Sequence, residues 1–256
     1  MKKILNRVPE VAASFWIIKI LATTVGETAA DYLSVNLNLD LSNTSYVMSG
    51  ILLIALLIQF RLKRYVPISY WIVVVLMSIT GTLITDRLID DFGISLMTTN
   101  IAFSIVLIVI FGLWYVNEKT LAMHSINTAK REIFYWTAIL FTFALGTSTG
   151  DFLAEATGLG YAHAALMFGV LIAAITFGYF YCKVNAILSF WLAYILTRPL
   201  GASIGDLLSQ PMSKGGLGFG TVGTSMLFLA IIVGLVTYAG LQKKNQQDSM
   251  ALDHEN

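Results

Sequence analysis

The chain has 256 residues, of which 57% are hydrophobic and only 12% charged, about half the charged fraction of an ordinary soluble domain. A mean hydropathy of +0.75 points to an integral membrane protein. The net charge of +1 carries no surplus that would draw nucleic acid, and the single cysteine, Cys182, excludes an intramolecular disulfide or a cysteine-built metal cluster.

Met1-Lys2-Lys3 followed by an apolar run has the outline of a signal peptide, but that run contains Lys19, Glu27 and Asp31, so it is expected to stay in the mature protein as the first span. Stretches near the roughly twenty residues needed to cross a bilayer fall at about 12–33, 45–63, 69–88, 97–116, 133–153, 161–181, 186–208 and 221–241. The expected fold is therefore all-α with eight transmembrane helices. Even-numbered stretches, such as Ile51–Ile58 and Ile101–Ile110, are almost purely aliphatic and suit lipid, whereas odd-numbered ones carry polar residues and should face inward.

The odd stretches share a skeleton. Trp16, Gly26 and Asp31 recur as Trp71, Gly81 and Asp86, as Trp136, Gly146 and Asp151, and as Trp191, Gly201 and Asp206. Each glycine follows its tryptophan by ten residues and each aspartate its glycine by five. Such register defines an internal repeat, giving one transmembrane domain over 1–242 with repeats at about 15–67, 69–120, 133–185 and 188–242, then a disordered cytoplasmic tail at 243–256. The polar loop Asn117 to Glu132 separates two four-helix halves.

Twelve of the sixteen basic residues, from Lys2, Lys3 and Arg7 through Arg61, Lys63, Arg64, Lys119, Lys130, Arg131 and Lys183 to Lys243 and Lys244, fall on one side of this layout. That side is expected to be the cytoplasm, with both termini inside. An even number of spans per repeat makes all four repeats run in the same sense, which predicts a pseudosymmetry axis along the membrane normal. Trp should then sit at the cytoplasmic headgroup level, Gly ~15 Å deeper and Asp ~22 Å deeper, toward the outer leaflet.

Counting back from each aspartate in fours keeps to one helix face. The first stretch gives Glu27, Thr23 and Lys19, the third Thr82 and Ser78, the fifth Thr147 and Phe143, and the seventh Ala202 and Arg198. Four carboxylates at one depth must hold protons or recruit positive charge, and the heights of Glu27 and Arg198 predict an ion pair between them. Lys19 is the other charge-balancing or gating candidate. Carboxylate and hydroxyl oxygens are ligands for hard or borderline cations such as magnesium or manganese, so Asp31, Asp86, Asp151, Asp206 and Glu27 are the candidate metal ligands. His124, His163 and His254 lie in a loop, at an outer helix end and in the tail, and do not join them.

A purely structural account competes with this one. Gly146 with Gly150, Gly201 with Gly205, and Gly26 with Ala30 have the small-xxx-small spacing of closely packed helices, tryptophan marks interfaces, and aspartate can cap a neighbouring helix. Pro199 should kink or break the seventh helix. The glycine-rich run Lys214 to Gly220 lacks the strand and the G-K-[ST] ending of a phosphate loop. Four equivalent acids do not make a protease dyad, and no nucleotide motif, HExxH or serine elbow is present, so neither an enzyme nor an organic cofactor is expected.

On Trp16, Trp71, Trp136 and Trp191 with their glycine and aspartate followers, the chain resembles bacterial membrane-anchored proteins built of four tandem two-helix repeats of unknown function. The resemblance covers about residues 15–242 and implies a multi-pass protein of the bacterial inner membrane; it supplies no activity. The residues themselves suggest a secondary transporter or exporter of a small cation, foremost a divalent metal, with the lipid bilayer and a small cation or proton as partners. A non-transporting scaffold or sensor, and a proton-coupled carrier of a small organic solute, stand as alternatives, and a homo-oligomer is compatible with all three.

Overall fold

The computed structural model describes residues 6–36 and 40–253; Lys2, Lys3 and His254 lie outside them. Eight long helices account for most of the described chain: α1 (Ala13–Asp31), α2 (Leu41–Arg61), α3 (Pro67–Asp86), α4 (Leu96–Glu118), α5 (Ala129–Asp151), α6 (Tyr161–Tyr181), α7 (Ala186–Ser209) and α8 (Thr221–Asp253). Seven of them, α2 to α8, are long and apolar enough to cross a membrane, the architecture of a multi-pass membrane protein. The remaining helix, α1, carries Lys19 and Glu27 within its length.

The odd helices pack in a closed ring, α1 on α3, α3 on α5, α5 on α7 and α7 on α1. Outside it, each even helix packs on the odd helix of the following repeat: α2 on α3, α4 on α5, α6 on α7, and α8 back on α1. Burial follows the same division. Between 56% and 67% of the central stretch of α3, α5 and α7 is buried, against 11% to 22% for the even helices, whose aliphatic surfaces are left facing outward.

One glycine contact closes the ring at each junction. A β-carbon on Gly26 would meet Ser78 of α3, with its backbone carbonyl carbon at 3.1 Å; one on Gly81 would stand 2.8 Å from Phe143 Cβ and 3.1 Å from the Ala144 nitrogen of α5. On Gly146 it would stand 2.5 Å from Arg198 Cβ, and on Gly201 2.7 Å from Thr23 Cβ. Each glycine thus receives the residue eight places before the aspartate of the next odd helix. Only a missing side chain allows backbones so near.

The tryptophans differ from expectation. Trp71, Trp136 and Trp191 are buried and Trp16 half-buried, so the rings pack in the interior and do not stand as headgroup anchors. The reason is a second repeated aromatic immediately before each one. Phe15, Tyr70, Tyr135 and Phe190 make edge-to-face pairs with their own tryptophans at centroid distances of 5.2, 5.1, 5.0 and 5.2 Å. Each also meets the tryptophan of the next repeat: Phe15 with Trp71 at 5.7 Å, Tyr70 with Trp136 at 5.3 Å, Tyr135 with Trp191 at 6.3 Å and Phe190 with Trp16 at 5.6 Å. Such offset geometry is favoured by the ring quadrupoles, and the eight rings plug one end of the bundle.

Residues ahead of α1 cross this plug. Arg7 N donates to Ile126 O at 2.9 Å, Tyr65 N to Asn6 O at 3.1 Å, and Arg7 Nη1 pairs with Glu132 Oε2 at 2.6 Å, while Val8 is buried. Glu132, grouped with the polar loop by sequence, is fully buried in the first turn of α5 and also accepts from Gln59 and from the Trp136 indole.

Two helix ends also differ. Pro199 does not break α7, which continues to Ser209. Residues 243–253 of the expected disordered tail are helical, since α8 runs on to Asp253 through a stretch rich in helix-forming Gln, Lys, Met, Ala and Leu; 254–256 lie outside the described residues.

Candidate functional site

Beyond the aromatic plug, the ring interior is built in layers one helical turn apart. Twelve residues before the aspartates stand Lys19, Val74, Ile139 and Tyr194; eight before stand Thr23, Ser78, Phe143 and Arg198; four before stand Glu27, Thr82, Thr147 and Ala202. All twelve are buried. The polar stripe read from the sequence therefore does line the interior.

The predicted ion pair between Glu27 and Arg198 is present at 2.5 Å, with the arginine fully buried and the glutamate nearly so. The same Arg198 Nη2 donates to Thr147 Oγ1 at 2.7 Å and to Thr82 Oγ1, and Nη1 donates to the Thr23 carbonyl at 3.3 Å. Four odd helices are thereby tied at one guanidinium. Charge-assisted bonds of this kind are the form in which a buried charge is tolerated.

Lys19 takes a different place from the one its charge suggests. Its ammonium is buried two turns from Glu27, donating to the Tyr194 carbonyl at 3.0 Å and to Thr197 Oγ1, and it lies 3.8 Å from the centre of the Tyr194 ring. Among the described residues it makes no ion pair, so it does not balance the aspartates directly. A carbonyl, a hydroxyl and an aromatic face hold it instead.

At the far end the four aspartates open into one cavity of about 400 Å³. Asp31, Asp86, Asp151 and Asp206 all line it, with Glu27 at its base. Within it, carboxylate oxygens of Glu27, Asp151 and Asp206 lie within 4.8 Å of one another. Asp31 accepts from Gln210 Nε2 at 3.3 Å. By contrast the carboxylates of Asp86, Asp151 and Asp206 have no hydrogen-bond or ion-pair partner among the described residues, although Asp206 is only 6% exposed.

Sequence reasoning missed the residues beyond the aspartates. After Asp31, Asp86 and Asp151 the helices widen into π-helical turns, Tyr32–Asn36, Arg87–Asp91 and Phe152–Ala156, whereas α7 stays α-helical past Asp206. These turns and the end of α7 carry Asp90, Glu155 and Gln210 to the cavity wall, with Asp90 and Glu155 exposed at its mouth. The signal was available: all three lie four residues after an aspartate, on the same face. Such widened turns recur at functional sites. Among the described residues the lining holds no histidine, cysteine or methionine.

An internally repeated helical ring around a polar axis defines the class, a multi-pass membrane protein assembled from four tandem two-helix units. The chain belongs to the family described as Repeat of Unknown Function (DUF347), whose model matches residues 14–65, 69–120, 134–184 and 189–245. No curated protein and no solved structure matches it.

Proposed function

We propose that the protein is a secondary transporter or exporter of a small hard cation, foremost a divalent metal such as manganese, which binds among Glu27, Asp151 and Asp206. The observation that carries this reading is Asp206: a residue only 6% exposed, whose carboxylate has no partner among the described residues and faces two further acids across a cavity. Leaving a carboxylate buried and unpaired is costly, and a cation held by several oxygens offsets that cost. The carboxylate oxygens of these three acids suit a hard cation and not softer metals, which prefer nitrogen and sulfur ligands.

In this reading α1 is the eighth span. With its π-helical turn it has 24 residues, and it packs in the ring beside α3 and α7 with Lys19 and Glu27 turned inward, so its charges are hidden from lipid. The ring axis then runs along the membrane normal. Arg7, Arg61, Lys63, Arg64, Lys119, Lys130, Arg131 and Lys183 sit around the aromatic end, which by the positive-inside rule is cytoplasmic, as are both termini. The bacterial inner membrane is the corresponding location. The cavity faces outward while Arg198, Lys19, the aromatic plug and the strap at Arg7 close the path inward, so a carrier that alternates between two states fits better than an open channel.

The test is flux. Purified protein in proteoliposomes should move Mn²⁺ down a gradient, and Asp206→Asn should abolish that movement while leaving the protein folded. Equal rates for the variant and the wild type would refute the reading.

A further inference from the structure

Arg198 and the proposed cation share one ligand, Glu27. A single arginine nitrogen, Nη2, carries two hydrogens yet faces three oxygens from three helices: Glu27 Oε2 at 2.5 Å, Thr147 Oγ1 at 2.7 Å and Thr82 Oγ1. Those are the donor types a hard cation takes. The fourth helix makes room for the guanidinium, because its own residue in that layer is Ala202, fully buried, where the others place Glu27, Thr82 and Thr147. Glu27 also lies within 4.8 Å of Asp151 and of Asp206, whose carboxylate has no partner among the described residues.

We propose that Arg198 is a tethered cation that competes with the transported cation for Glu27. This rests on the cation reading above and adds how the site lets go. A carboxylate engaged by a guanidinium in a strong charge-assisted bond is a weaker metal ligand. Cation capture therefore draws Glu27 away from Arg198, and return of the guanidinium expels the cation. The opposite role, in which Arg198 merely holds Glu27 in position for the metal, makes the opposite prediction about affinity.

The experiment is Mn²⁺ binding by titration calorimetry on the purified full chain, for wild type, R198Q, E27Q and E27Q/R198Q. Competition predicts that R198Q binds Mn²⁺ about tenfold more tightly or better, the factor for losing roughly one charge-assisted bond. It also predicts that R198Q changes nothing in the E27Q background, because the coupling runs through Glu27. Unchanged or weaker binding by R198Q, with the wild type binding, overturns the competition and leaves the transport reading standing. Equal tightening in both backgrounds also overturns it, since simple repulsion by Arg198 then explains the gain. No binding by either wild type or R198Q overturns both proposals. R198Q leaves Glu27 buried without its partner, and R198K guards against misfolding: it keeps the charge and loses the planar fork. Because R198K is still a tethered cation, competition predicts Mn²⁺ binding by R198K no weaker than wild type and no tighter than R198Q; binding outside that range contradicts it.

Discussion

Gly201 of α7 packs against Thr23 of α1, the contact by which the fourth repeat returns to the first; a β-carbon there would stand 2.7 Å from Thr23 Cβ and 3.1 Å from the Thr24 nitrogen. Gly81 meets backbone in the same way at Ala144, whereas Gly50, Gly112 and Gly169 on even helices have nothing within 4 Å. Gly81→Ala and Gly201→Ala should therefore destabilise the protein by roughly 1–3 kcal/mol through overpacking. Gly50→Ala, Gly112→Ala and Gly169→Ala should be neutral or stabilising by up to about 1 kcal/mol, the difference in helix propensity. Thermal unfolding in detergent separates the two sets, and equal effects would show that the ring glycines are not contacts under load.

The buried Glu132 depends on Arg7 for its charge partner. Arg7→Ala leaves that carboxylate, among the described residues, with neutral donors alone, Gln59 and the Trp136 indole. The expected loss is about 3 kcal/mol, as for breaking a buried pair from one side. Arg7→Ala combined with Glu132→Gln should recover much of it, which a double-mutant cycle on unfolding free energy would detect.

Lys19 is buried without a carboxylate partner among the described residues, so a long apolar side chain can take its place. Lys19→Met should leave stability within about 1 kcal/mol of wild type or raise it, and Mn²⁺ affinity should not move. A large loss of affinity in this variant would place Lys19 in the cation path.

Much of this arrangement is legible in the sequence, for a definite reason. The repeat fixes helix length and register together, so four aspartates counted in fours reach one cavity, and Glu27 and Arg198 meet because their heights on the stripe differ by one turn. The small-xxx-small spacing of Gly146 and Gly201 likewise foretells close approach. What the sequence hides is partner choice. The middle stretches of the even helices are almost purely aliphatic, so nothing in Ile51–Ile58 tells α2 to pack on α3. The tryptophans misled because an interfacial ring and a buried ring have the same chemistry; the aromatic preceding each, Phe15, Tyr70, Tyr135 and Phe190, is the sign that rings pack on rings. Lys19 misled for a related reason, since a carbonyl, a hydroxyl and an aromatic face can hold an ammonium as well as a carboxylate does.

Asp90 and Glu155 stand exposed at the cavity mouth, where charge acts on approach and not on final affinity. Asp90→Asn with Glu155→Gln should slow Mn²⁺ entry several-fold at low ionic strength and much less at roughly 0.5 M salt, where charges more than a few ångströms apart are screened. Stopped-flow uptake into proteoliposomes at two ionic strengths gives the comparison. An effect that persists at high salt would make these two residues direct ligands.

In the proposed site Glu27, Asp151 and Asp206 hold a cation between them. Anomalous diffraction from crystals grown with Mn²⁺ tests it most directly. One manganese peak bounded by these three carboxylates is expected, absent from Asp206→Asn crystals prepared alike. Saturating Mn²⁺ with no peak there, or a peak that survives in the variant, would contradict it.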